Sequence, residues 1–496
     1  VFCLTKSNKK TRVSQTNLTL QGRKMNQTPL AWLIITLAAA TLTSVTYYTT
    51  TAPKTNDASP PPPSPPHRTL SLDPKTVIQK PPPMTPHRRP PGQIRYAAFG
   101  ASTTWGSGLP DRSTQAYPFL LSPSAKNYAI RAAGPNYPAA CAYSLVGDDT
   151  VLDVIILEFF AQSKFGLVPL ARRLRERFPE AIIVILREWY PRLVTTSDGV
   201  GLREWADAKG FGRFAVHDPE MHRAFLASEE EWHWELINQS AVIDLQVRAA
   251  EEVGGYILEM PRPKEEDIAS WINYADLFAE DYMHKSVKGH WEVHFRVREL
   301  VDRIGVPAEP RLGQWGFRDS CHMWFESGNP GGLQYSKTIE LKEISNRNGA
   351  KYALEWSPGR RPGIIHVWNP AGEPMTLYLV YMTTGPPPSN YAPTEVEFVD
   401  DVRKERVILD PNARSEYDHY FFVHIQNVAE VGEIPPGETR LRLVQLEDSK
   451  WPFRLIGVVV TKKGEGSAEF SRVTATKLES RGGGKNARNK NLTDKK

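Results

Sequence analysis

From Ile94 the apolar positions fall into two regimes. In the first, short and nearly continuous apolar runs recur: 94–100 (IRYAAFG), 127–134 (NYAIRAAG), 153–160 (DVIILEFF), 181–190 (AIIVILREWY) and 254–260 (GGYILEM). Residues 167–179 (LVPLARRLRERFP) and 288–304 (KGHWEVHFRVRELVDRI) instead space their apolar residues as a helix does. Continuous Val/Ile/Leu runs that alternate with helices predict a parallel sheet covered on both faces. Residues 191–250, rich in Trp, Glu and His, read as an inserted helical cap.

After about residue 335 the helical spacing stops. KYALEW, GIIHVW, MTLYLVYMT, EVEFV, RVIL, YFFVHI, TRLRLVQL and FRLIGVVV follow, separated by turn segments such as NPAGEP and IPPGE. Short strands broken by Pro/Gly/Asn turns predict an all-β sandwich, here over 335–463. The tail 464–496 (ending RGGGKNARNKNLTDKK) lacks apolar periodicity and reads as a disordered basic segment.

The region before Ile94 has a different composition. Residues 1–29 carry six Lys/Arg and no acid. Leu30–Tyr48 is uncharged over 19 residues, about enough to span a bilayer as a transmembrane helix. With the basic residues ahead of it, the positive-inside rule leaves the N-terminus cytosolic and the body in the secretory lumen or outside the cell, as a single-pass type II membrane protein. A signal peptide starting at Met25 and cleaved near Ala38–Ala40 is the other reading, and gives a secreted body. Residues 49–93 form a Pro-rich linker, with 14 prolines between Pro53 and Pro91, and read as a stiff polyproline II spacer.

Charge changes the picture of partners. The net charge is +5, but the flanks 1–28, 51–92 and 461–496 carry +6, +4 and +6, so the rest must be net −11. An acidic body offers no basic face for nucleic acid, which excludes that class of partner. Three cysteines in 496 residues exclude a disulfide-dense scaffold and a Cys-rich metal site. Whether Cys141 and Cys321 pair depends on a proximity that sequence does not show.

Two short segments carry chemistry. Gly100-Ala101-Ser102-Thr103-Thr104-Trp105-Gly106 follows the first strand, at the sheet edge where open parallel sheets bind ligands. Ser102 there is either an exposed nucleophile beside a backbone N–H or the N-cap of the next helix. Asp281-Tyr282-Met283-His284 precedes the closing helix. A serine hydroxyl needs a positioned imidazole to remove its proton, and a carboxylate three residues before that His can bond its other ring nitrogen. Together they favour catalytic roles for Ser102, His284 and Asp281.

On these motifs the chain resembles the SGNH (GDSL-type) hydrolases over residues 94–304. Ser102, Asp281 and His284 match that family's opening Gly-Asp-Ser and closing Asp-x-x-His, the latter here followed by Gly289-His290. The resemblance implies a flavodoxin-like three-layer α/β fold, and acyl-ester hydrolysis or transfer without a cofactor. It also implies an oxyanion hole from the N–H groups of Ser102 and Gly134. There are two departures: Ala101 stands where the family has Asp, and the stretch Leu157–Ser163 has no Asn at the family's third block. Gln162 is the candidate substitute donor.

Glu158, Arg187 and Glu188 lie at the ends of buried strands and either bind substrate or pair with one another. Trp232, His233 and Trp234 form either a sugar-stacking wall or cap core. His290 and His294 do not make a His-Glu-x-x-His helix, so no metal site is expected. The resulting expectation is a membrane-anchored serine esterase or acyltransferase acting on acyl esters, with acetylated glycans as the substrate class. A catalytically inactive glycan-binding protein on the same fold and a lipid esterase are the alternatives.

Overall fold

A computed structural model describes residues 89–131, 134–159, 166–234, 239–325, 327–345, 350–356, 361–384, 392–399, 406–411, 424–446, 452–462 and 476–478. All belong to the compact unit Leu72–Lys496. The segment 1–29, the apolar run 30–48, nearly all of the linker 49–93, and the tail 464–496 apart from 476–478 lie outside the described residues. Among the described residues no helix is long and apolar enough to cross a membrane.

The first domain is α/β. Its sheet consists of β1 (Tyr96–Gly100), β2 (Lys126–Asn127), β3 (Val154–Glu158), β4 (Ile182–Arg187) and β5 (Tyr256–Glu259), all parallel, in the order 2-1-3-4-5. The strands are buried on both sides because adjacent residues serve opposite cores. Tyr96, Ala98, Val154, Ile156, Val184 and Leu258 face α3 (Val287–Ile304), through Val293, Val297, Leu300 and Val301. Ala97, Phe99, Ile155, Leu157, Ile183 and Ile257 face α1 (Leu167–Arg177) and α2 (Gln239–Val253). That two-sided burial is why the strands read as unbroken apolar runs.

Two expectations change. The strand expected over 127–134 is only Lys126–Asn127. Beyond it Tyr128 and Ile130 still donate N–H bonds to Ala98 and Gly100 carbonyls, at 2.8 and 3.1 Å, in an edge segment without regular pairing. The cap ends earlier than residue 250, since α2 packs on α1 and β4 as part of the helical layer. The insertion proper holds helices Leu202–Ala208 and Pro219–Leu226, enclosed between the antiparallel strands Val194–Thr196 and Trp232–Trp234. Trp234 is buried edge-on to Trp189, and Trp232 packs on Trp205 and Phe225. These tryptophans form cap core, whereas His233 is exposed.

The second domain is a sandwich of two antiparallel sheets. One sheet runs Glu340–Ser345, Lys351–Trp356, Phe453–Thr461, Met375–Thr384, His424–Ile434, and Phe453–Thr461 also pairs with Ser320–Met323. The other runs Thr476–Leu478, Arg406–Leu409, Thr394–Phe398, Gly437–Gln445, Gly363–Asn369, Gln334–Tyr335. Leu377, Leu379, Val431 and Leu455 from the first meet Ile365, Val396, Leu441 and Leu443 from the second. Strand Ser320–Met323 lies upstream of residue 335, so the sandwich draws on chain before that point.

The two domains share a continuous core. Tyr378, Val380, Met382, Ile456 and Val459 on the outer face of the first sheet pack with the α1 side of the α/β domain. Arg173 of α1 is buried there, donating to the carbonyls of Ala139, Ala140 and Phe317 and pairing with Asp319 at 2.9 Å. A disulfide joins Cys141 to Cys321 across 180 residues of sequence.

Closing a loop that long should stabilise the fold by about 2–5 kcal/mol. Cys141→Ser should therefore lower the urea midpoint and remove its sensitivity to reductant. An unchanged midpoint would show that packing alone holds the domains together.

Candidate active site

The nucleophile candidate sits at the carboxyl end of β1. Helix Ser102–Trp105 starts immediately after the strand, and Gly106, in the left-handed region at φ 92°, ends it. Gly100 is required by close approach. A Cβ there would lie 2.2 Å from Thr104 Oγ1 and 2.8 Å from the Glu158 carbonyl. The turn is tied down from below: Thr104 donates its N–H (3.3 Å) and its hydroxyl (2.9 Å) to Glu158 Oε2, and shares a 2.9 Å hydrogen bond with the Tyr117 hydroxyl. Thr103 and Thr104 are buried, leaving Ser102 half-buried at the surface of the turn.

The second half of the site is the loop before α3. Asp281 Oδ1 accepts the N–H groups of Met283 (3.0 Å) and His284 (2.9 Å), and Oδ2 lies 2.5 Å from His284 Nδ1. His284 Nε2 lies 2.9 Å from Ser102 Oγ. With Nδ1–H donated to the carboxylate, Nε2 is left as the acceptor for the serine hydroxyl. Burial by itself would raise the Asp281 carboxyl. The hydrogen bonds and charge of His284, with the backbone donors, outweigh it and hold the carboxyl well below its ordinary value.

Tyr282, between the two, has φ 64°. A bulky residue in that region costs about 1–2 kcal/mol and persists only where its surroundings impose it. Here Tyr282 is fully buried, its N–H bonds Ala279 O (3.2 Å), and its carbonyl accepts the Arg192 N–H (3.2 Å). The strained residue turns the chain so that Asp281 and His284 face the same way.

Helix α3 starts under this loop. The Ser286 hydroxyl accepts the Gly289 N–H at 3.1 Å as N-cap. A Cβ on Gly289 would lie 2.0 Å from the Leu277 carbonyl. His290 is fully buried and accepts the Tyr117 N–H at Nδ1 (3.2 Å). Burial first, then the charges of Lys285 and His284, lower its pKa to about 3. The Gly-His pair thus serves packing and anchoring.

The structure therefore brings Ser102, His284 and Asp281 together. Glu158 and Glu188, read from the sequence as either binding substrate or pairing with charged neighbours, are buried and bound to protein groups: Glu158 to Thr104, Glu188 to Lys285 with 2.8 Å between Nζ and Oε2. Burial, and then the neighbouring Glu188 charge, push Glu158 up to about 7. Arg187 donates to Gln246 at 3.1 Å and lies 3.9 Å from Glu259. Gly134 is half-buried in the segment entering helix Asn136–Ala140, and Gln162 lies outside the described residues. Lys285 and Tyr190 went unnoticed in the sequence. The signal for Lys285 was its place directly after His284, which needs a buried partner.

Among the described residues one group could present metal donors: Cys141, Asp319 and Cys321. Its sulfurs are bonded to each other, and Asp319 already accepts from Tyr143 N–H, Ser144 N–H and Arg173, so it does not fit a metal.

No family model matches this sequence, and no curated protein does. Among solved structures it is similar to a two-domain esterase active on acetylated mannans (14% identity, TM-score 0.43, covering 75% of this chain and 91% of that one). It is also similar to a protein from Lactobacillus plantarum (15%, TM-score 0.28, 42% and 97%). A third is a family two carbohydrate esterase from Clostridium thermocellum (15%, TM-score 0.26, 43% and 65%). At these identities and TM-scores the likenesses assign no chemistry to this chain.

His290 supplies a pH test. Its folded pKa of about 3 lies below the unfolded value of about 6.5, so only the unfolded chain takes up this proton between those limits. Stability should then fall as pH drops through that window, by up to about 1.4 kcal/mol per unit from this group. His290→Asn, which keeps an acceptor for Tyr117, should flatten the slope relative to wild type in denaturant titrations from pH 7 to 4. Parallel slopes would contradict the assignment.

Proposed function

We propose that the protein is a serine esterase or acyltransferase working by a Ser-His-Asp mechanism. The observation that carries the reading is the chain of contacts from Ser102 Oγ to His284 Nε2 (2.9 Å) and from His284 Nδ1 to Asp281 Oδ2 (2.5 Å). As Ser102 Oγ bonds the acyl carbon, His284 Nε2 takes the hydroxyl proton, and Asp281 stays ionised to stabilise the imidazolium. The tetrahedral oxyanion is held by the N–H groups of Ser102 and Gly134, with Gln162 as a further donor. His284 then gives its proton to the leaving alcohol oxygen. Water, or a second hydroxyl, attacks the acyl-Ser102 with His284 again as base. It releases a carboxylic acid or a new ester and restores Ser102. No cofactor enters these steps.

For the substrate we propose an acetyl ester on a glycan. The sandwich joined to the esterase domain gives a second surface on which a polymer can rest. For the address we propose a body in the secretory lumen or outside the cell, anchored by residues 30–48. The Cys141–Cys321 disulfide fits an oxidising compartment. Protease added to sealed microsomes should leave the body intact, and digestion of the body would reverse the orientation.

Ser102→Ala removes one half-buried hydroxyl and leaves no large cavity, so it should preserve the fold. It should abolish hydrolysis of p-nitrophenyl acetate and labelling by a fluorophosphonate probe. Wild-type protein inert to both reagents would overturn the enzyme reading.

A further inference from the structure

Beneath the triad lie three ionisable side chains that are shut away from water. Glu158 ends β3, Glu188 follows β4, and Lys285 follows His284. The Glu188 and Lys285 side chains are both 0% exposed, with Nζ 2.8 Å from Oε2. Both the charge of Lys285 and its close approach act on Glu188, partly offsetting the upward pull of burial on that carboxyl. The ammonium also lies 4.4 Å from the centre of the Phe278 ring, and the Lys285 backbone bridges that of Phe278. Because Lys285 is the residue after His284, whatever fixes Nζ limits where the imidazole can go.

Glu158 does the same for the other half of the site. It holds Thr104, two residues from Ser102, by two hydrogen bonds, and accepts the Tyr190 hydroxyl at 3.5 Å. Tyr190 also bonds Thr103. Tyr117, bonded to Thr104 through its hydroxyl, donates its N–H to His290 on α3. The nucleophile turn and the start of α3 are thus linked through buried polar groups that never reach solvent.

A buried ion pair is a poor source of stability, since apolar side chains of similar volume often do as well or better. What such a pair can supply is a fixed position. We infer that Glu188, Lys285 and Glu158 are positioning residues that set the Ser102–His284 contact from below. The inference rests on the reading of Ser102 as nucleophile. Glu188 faces the Lys285 ammonium and Glu158 feels the Glu188 charge, with Tyr117, Tyr190, His290 and His284 as the other titratable neighbours. Burial, and then the Glu188 charge, raise the Glu158 pKa.

The test separates position from stability. Glu188→Gln or Lys285→Met alone strands a buried charge and should lower Tm. The double variant Glu188→Gln/Lys285→Met removes both charges and should regain most of that Tm. It should still show kcat for p-nitrophenyl acetate lowered about 10–100-fold with KM unchanged, the scale expected for a misplacement of about 1 Å. Glu188→Asp keeps the charge, shifts the carboxylate by one methylene, and should lower kcat in the same way. Fluorophosphonate labelling of Ser102 should slow in parallel. Wild-type kcat per folded molecule in either variant would overturn the inference while leaving the triad reading intact. A wild-type protein that neither labels nor hydrolyses would overturn both.

Discussion

One hydrogen bond, from Ser102 to His284, joins parts of the chain 182 residues apart. The rest of the α/β domain can be understood as what makes that contact repeatable. A parallel sheet sends β1 and β5 out at the same edge, and α3 must begin where β1 ends. Side-chain reach is a few ångströms, so errors in strand register or helix start would separate the two groups. Gly100 and Gly289 sit at points on either side of the site where backbones come too close for a Cβ. The strained Tyr282 makes the last correction.

The electrostatics follow from that geometry. Bringing two loops together over a closed sheet leaves polar groups without water. The fold answers by pairing them: Thr104 and Tyr190 on Glu158, Lys285 on Glu188, Tyr117 on His290. Burial moves Glu158 and His290 in opposite directions, each toward its neutral form. Acidification therefore acts on them oppositely. It favours the folded state through Glu158 and disfavours it through His290, which blunts the net response.

Much of this was legible in the sequence. Strands buried on both faces leave unbroken apolar runs, so β1, β3, β4 and β5 stand out, as does the alternation in Gly363–Asn369 and Gly437–Gln445. Edge strands leave little trace: Ser320–Met323 is only half-buried, and Glu340–Ser345 carries three charges in six residues. Ser102, Asp281 and His284 were readable because their spacing carries a chemical requirement. For Glu158 and Glu188 the sequence left two surroundings open, a substrate or a charged partner. A charge at a strand end looks the same in sequence whether it faces a ligand or a lysine, and only packing decides which.

The bridge from Cys141 to Cys321 imposes a schedule on synthesis. At about 5–20 residues per second, the 180 residues between them take roughly ten to forty seconds to emerge. The strand carrying Cys321 then waits for its pairing partner, since Cys321 lies opposite Val459. For that interval Cys141 has no partner sulfur from Cys321. The only other cysteine in the chain is Cys3. The face of the first domain that packs on the sandwich therefore stays uncovered until the last long strand of the second arrives.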